Sequence, residues 1–181
     1  MTTASELIAD TQPGTTWTLA RDRSTVTFRN KTLWGAATVK GTFSDLDGSG
    51  EIMQAHTVAG HLHVGAASLS TGIKMRDDHL RSAEFFDVGE SPVISVDVHG
   101  VTVTGPDTVE LDATLTIRKT ARRLDLPATV TVVDGGAVRF TASTEIDRME
   151  YGVGGNLLGM VGPTARLVAD AVFTPQAGVS P

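Results

Sequence analysis

Apolar and polar residues alternate along most of this chain, with the period of two that sends successive side chains to opposite faces of a β-strand. Val109, Leu111, Ala113, Leu115 and Ile117 alternate with Glu110, Asp112, Thr114 and Thr116. Leu124, Leu126, Ala128, Val130 and Val132 form the next series. Val138, Phe140, Ala142 and Ile146 follow, and then Ala165, Leu167, Ala169, Ala171 and Phe173. The first half is less regular: Trp17 shares a face with Leu19, Val26 with Phe28, and Val39 with Gly41 and Phe43. Val58, Leu62 and Val64 oppose His61 and His63, and Ile94, Val96 and Val98 alternate with Ser95, Asp97 and His99. Gly105-Pro106-Asp107 and Asp134-Gly135-Gly136 are turn signals that make hairpins of their flanking strands.

This pattern predicts an all-β chain: an extended antiparallel up-and-down barrel of about eight strands, closed so that no edge is left exposed. One stretch breaks the alternation. TGIKMRDDHLRSAEFF, residues 71–86, packs charges together and ends on two phenylalanines, and predicts a short helical insert near residues 73–88. Residues 1–14, ending at Pro13-Gly14, read as a flexible arm, 15–175 as the barrel and 176–181 as a flexible tail. The segment DLDGSGEIMQ reads as a connection.

Successive connections in such a barrel alternate between its ends. Counting from the strand of Phe28, one end gathers Trp34, the insert with Phe85 and Phe86, the basic hairpin RKTAR, and the apolar loop with Tyr151, Leu157 and Met160. That end reads as a mouth. Inner-face positions Phe28, Leu62, Val96, Leu115, Ile117, Phe140, Ala142, Ala169 and Phe173 are the candidate walls of a ligand cavity. Across the inner faces of all the strands, Ala and Val are many and aromatics few, which leaves room for a long thin apolar molecule, although the same period suits a solid core. Arg76, Arg118 and Arg122 at the mouth are candidates for holding an anionic head group.

Composition narrows the function. A net charge of −6 gives no general attraction for nucleic acid or anionic membranes. Zero cysteines exclude disulfides and thiolate metal sites. No segment approaches the roughly 20 apolar residues of a membrane span, and the first residues lack a basic start and an apolar run, so a cytoplasmic protein without stable membrane insertion is expected. Arg76, Asp77 and His79 invite an enzymatic reading, but no nucleophile or oxyanion arrangement accompanies them, and Asp77 and Arg81 have the i, i+4 spacing of a helix ion pair. His61 and His63 have an i, i+2 spacing that could ligate a metal, yet no third ligand is evident, and no metal and no required cofactor are expected. The glycines around Gly152, Gly154 and Gly155 lack the strand and helix of a dinucleotide fold.

Several ordered blocks resemble the YceI-like family, the lipocalin-like polyisoprenoid-binding proteins. Trp17, Ser24 and Phe28 resemble the family's opening, and Val39, Gly41 and Phe43 its V-x-G-x-F element. Arg76, Asp77, His79, Leu80, Phe85, Phe86 and Pro92 match its most specific motif. LTIR at Leu115–Arg118 and IDRMEYGV at Ile146–Val153 resemble two further blocks. Arg23 and Lys119 depart from the usual histidine and glycine. The resemblance implies a barrel holding an isoprenoid, such as a quinone tail or polyprenyl phosphate, and a homodimer. It brings no catalytic reaction. The rival readings are an enzyme at Arg76, Asp77 and His79, and a solid-core interaction protein presenting its loops.

Overall fold

In the computed structural model, which describes residues 3–54, 57–156 and 159–176, ten strands form one antiparallel sheet. They are β1 (Thr16–Leu19), β2 (Thr25–Thr32), β3 (Ala37–Phe43), β4 (Leu46–Ile52), β5 (Val58–Gly65), β6 (Val93–Val103), β7 (Thr108–Ile117), β8 (Thr120–Val132), β9 (Val138–Asp147) and β10 (Val161–Pro175). Neighbours run β1-β4-β5-β6-β7-β8-β9-β10, and β10 pairs back onto β1 to close an eight-stranded barrel. The other end of β10 pairs with β2, which carries β3 outside that ring.

The ten segments reduce to eight long strands. Both β1 and β2 run antiparallel to β10, so they point the same way, and so do β3 and β4, which are antiparallel to β2 and β1. Each pair is one strand broken in the middle. At the first break the 3-10 turn Arg21–Arg23 intervenes, and Ser24 Oγ donates to Ala20 O at 2.7 Å while accepting from the Val172 amide at 3.0 Å. At the second, the amides of Ser44 and Asp45 donate to Ser68 Oγ at 3.1 and 3.0 Å. The alternation of connections between ends therefore holds.

One segment differs from expectation. DLDGSGEIMQ is mostly β4, and the connection lies beyond it. The strand's inward positions are Leu46, Gly48, Gly50 and Ile52, and the two glycines erase the apolar half of the period.

The arm expected to be flexible also differs. Ala4–Asp10 is helix α1, opened by a capping box in which Glu6 accepts from the Thr3 amide and Thr3 Oγ1 from the Glu6 amide. It docks at the end opposite the mouth: the Ala4 amide donates to Pro106 O at 2.8 Å, and Ala4 is buried against Val109, Ala128 and Val138. The apolar contacts of Ala4, Leu7 and Ile8 outweigh the ordering cost that left the arm free in the sequence reading.

The expected helical insert is present as α2 (Lys74–Arg81), inside the long connection from β5 to β6. Asp77 is buried and accepts from the Thr71 amide and hydroxyl at 2.8 and 2.5 Å. Arg81 donates to Ala67 O and Leu69 O at 2.9 and 2.6 Å. Those bonds hold the insert across the barrel end. Gly41 serves the same region, because a Cβ there would overlap the ring of Phe28 on the neighbouring strand. No helix of the described residues is long and apolar enough to cross a membrane.

Candidate ligand-binding site

Among the described residues, two cavities of the barrel lie one above the other. The inner one, about 160 Å³, is walled by Trp17, Val109, Leu111, Phe140 and Phe173 and capped by Leu7 and Ile8 of α1. Its room comes from small residues. Ala128, Ala142 and Ala169 face one another across β8, β9 and β10, and Gly50 pairs with Gly60 across β4 and β5. A dry apolar cavity of roughly 150 Å³ takes a benzene-sized guest.

The outer cavity, about 330 Å³, lies under the insert. It falls at the low end of the ~300–1,000 Å³ of small-molecule sites. Phe28, Leu80, Phe85, Phe86, Ile117 and Ile146 line it. Phe86 lies 6.0 Å from both Phe28 and Phe43, edge to face, and Phe85 packs on the His79 ring at 5.1 Å. Gly155 passes so close to Phe85 that a side chain there would overlap its ring. The two cavities are separated by a packed waist: Ala113 and Leu115 stand between Leu111 and Ile117 on β7, with Leu124 opposite Ala113.

Arginine side chains line the outer cavity, whereas the inner one carries the Trp17 indole N–H, buried without a partner among the described residues. Arg148 is buried and donates to Gly162 O at 2.8 Å, Gly155 O and Val161 O at 3.0 Å, and also to Val153 O. Among the described residues it makes no ion pair, and burial lowers its pKa without removing its charge. Asn30, also buried, donates Nδ2 to Gly162 O and Thr164 O at 3.0 and 2.9 Å and leaves Oδ1 without a partner among the described residues. Arg76 lines the same cavity, with Nε on Thr71 Oγ1 at 2.7 Å.

Of the residues expected at a ligand, the structure brings Leu62, Val96, Phe140, Ala142, Ala169 and Phe173 to the inner cavity and Phe28, Ile117, Phe85, Phe86 and Met160 to the outer one. Leu115 belongs to the waist. Tyr151 is buried in the core but lines neither cavity, and burial pushes its phenol up. Trp34 is turned out: it is 78% exposed, in a turn where its φ is 53°. Leu157 lies outside the described residues. Two of the three head-group candidates are engaged elsewhere. Arg118 pairs with Asp87 at 3.3 Å and donates to Phe85 O and Gly152 O, and Arg122 pairs with Glu150 at 2.9 Å. Arg148 and Asn30 went unrecognised, although Arg148 sits inside the IDRMEYGV block.

Asp77 and His79 do not form a dyad. The Thr71 hydroxyl and amide, then Arg81 and Arg76, hold the Asp77 carboxyl below its usual range, while His79 Nε2 lies 2.8 Å from Glu84. Such a carboxylate is an anchor for the insert.

The fold has known counterparts. It superposes on BcnA of Burkholderia cenocepacia with a TM-score of 0.77 at 19% identity, over 85% of this chain and 98% of that one. A polyisoprenoid binding domain from Saccharophagus degradans, implicated in plant cell wall breakdown, gives 0.74 at 18% identity over 91% and 100%. The Campylobacter jejuni YCEI protein gives 0.66 at 19% over 78% and 87%. In sequence, 85 residues are 34% identical to a UPF0312 protein of Azotobacter vinelandii, 46% of this chain but only 44% of that protein's length. The model of the YceI-like domain matches residues 17–173, from β1 to the end of the barrel, and the chain belongs to the YceI-like family.

Proposed function

We propose that this protein binds a long apolar amphiphile inside its barrel, with the head group beneath the insert and an isoprenoid tail that parts the waist at Ala113 and Leu115 to run from the outer cavity into the inner one. The observation that carries the reading is the pair of apolar cavities in line, with arginines, among the described residues, lining the outer one only. The likeness in fold to a polyisoprenoid binding domain supports it. At ~0.8 kcal/mol per buried CH₂, one five-carbon unit contributes up to about 4 kcal/mol. Micromolar affinity needs about 8 kcal/mol, so a few buried units suffice.

The mouth favours one head chemistry. Arg76 and Arg148 supply positive charge, and Asn30 Oδ1 supplies an unused acceptor. A quinone offers acceptors alone and leaves Asn30 Oδ1 unpaired, whereas a singly protonated phosphate or a quinol also offers an O–H donor. Polyprenyl phosphate is therefore the preferred ligand. A homodimer and a cytoplasmic location belong to the same reading, and light scattering and cell fractionation check them. Catalysis has no support from Asp77 and His79, which are engaged by Thr71 and Glu84.

The test is extraction of the purified protein with organic solvent and mass spectrometry against a mock purification. A stoichiometric isoprenoid is expected. A clean extract, repeated after incubation with mixed polyprenyl phosphates and quinols, contradicts the proposal.

A further inference from the structure

We propose that Asp47, His61 and His63 form a site for a zinc-class divalent metal ion on the outer wall of the barrel. The site is independent of the ligand reading. Pairing of β4 with β5 sets Asp47 directly opposite His63 and Ser49 opposite His61, all on the outward face. One donor atom from each of Asp47, His61 and His63 lies within 4.8 Å of the others. The two imidazole rings lie 4.4 Å apart, inclined by 32°, so the pair converges on one side of the strand.

The third ligand was hidden by the misread strand. Taken as a connection, DLDGSGEIMQ has no register against His63; as β4 it places Asp47 there. Tetrahedral zinc with bonds of ~2.0–2.1 Å holds its donors roughly 3.3 Å apart, so these side chains need to close by up to about 1.5 Å from the 4.8 Å limit. His61 and His63 are half-buried and Asp47 is exposed, which leaves that freedom.

The donor set selects the ion. Two imidazoles and one carboxylate suit Zn²⁺, Co²⁺, Ni²⁺ or Cu²⁺ and disfavour Mg²⁺ and Ca²⁺, which take oxygen ligands. Three protein ligands leave a fourth position for water. Ser49 Oγ, 3.4 Å from His61 Nδ1, can orient that ring from behind, leaving Nε2 for the metal. Arg21 is the competitor: it lies 2.9 Å from Asp47 Oδ1, in a pair more than half exposed on both sides. A bound ion would cross-link β4 to β5 behind Leu62, which lines the inner cavity from the other face of β5.

The experiment titrates untagged, chelator-treated protein with ZnCl₂ by calorimetry and with CoCl₂ by visible absorption, for the wild type and single variants. One Zn²⁺ per chain is expected, with a Co²⁺ spectrum of low coordination number. His61→Ala and His63→Ala should each weaken binding by at least ~10-fold, while His99→Ala leaves it unchanged. Arg21→Ala should tighten it several-fold by releasing Asp47, a gain that a merely structural role for the ion pair does not produce. Circular dichroism confirms that each variant is folded. Absence of saturable binding, binding that survives in both His61→Ala and His63→Ala, or weaker binding in Arg21→Ala overturns the assignment.

Discussion

The two cavities share one barrel and are built in opposite ways. The inner one is a space left by omission: alanines on three adjacent strands and a glycine pair on two others leave a void that α1 seals with Leu7 and Ile8. The outer one has walls from β2, β7, β9 and β10 and is closed over by connections, with the insert held by Asp77 and Arg81, and the loop between β9 and β10 by Arg118 and Arg148. Small side chains determine how far a tail can reach. Buried hydrogen bonds to backbone determine whether a mouth exists to receive the head.

The sharpest way to break that contrast is at Arg148. Arg148→Met keeps much of the volume but removes a donor from four backbone carbonyls, of which Gly162 O keeps another in Asn30 Nδ2, with an expected cost of about 3–4 kcal/mol. That corresponds to a fall in melting temperature on the order of 10 °C for a chain of this size, read by calorimetry. A loss under about 1 kcal/mol would mean that the loop needs no such hub. The counterpart at the other end is Leu7→Asp, which places a charge against the inner cavity and should undock α1 at about 1–2 kcal/mol. Amide exchange should quicken in Ala4–Asp10 and leave α2 protected. Equal acceleration at both ends would mean that the two are one cooperative unit.

A smaller effect concerns pH. The Asp77 carboxyl titrates lower in the folded chain than unfolded, so its stabilising contribution is complete above the unfolded value of ~3.9 and is lost as pH falls through the lower folded value. Acidification below about pH 4 should therefore lower the melting temperature more steeply in the wild type than in Asp77→Asn, which has no carboxylate to protonate. Parallel curves would remove Asp77 from the account of the insert.

The barrel was readable in the sequence wherever strands are regular. Val109–Ile117 alternates cleanly because each inward position carries a side chain of its own. β4 was not readable because its inward Gly48 and Gly50 carry none, and the same silence concealed Asp47 as a neighbour of His63. The ten segments still followed an eight-strand count, since β1 with β2 and β3 with β4 each continue in one direction. α1 had a signal, Thr3 three residues before Glu6 and then Leu7-Ile8, but only the barrel end supplies the surface that makes so short a helix stable. At the mouth, residue type pointed to cations and contact decided among them. Arg118 and Arg122 found carboxylates, and Arg148, between Asp147 and Met149, was drawn to carbonyls that no pattern reveals.

The central claim, a tail that passes the waist into the inner cavity, is tested most directly by affinity as a function of chain length. Polyprenyl phosphates of increasing length, measured against wild type and Ala142→Trp, should divide into two regimes. Short chains that fill only the outer cavity should bind both proteins alike. Longer chains should gain affinity in the wild type, up to about 4 kcal/mol per buried unit, and stop gaining in Ala142→Trp, whose indole occupies the inner cavity. The same rise with length in both proteins would contradict the account and leave the tail outside the inner barrel.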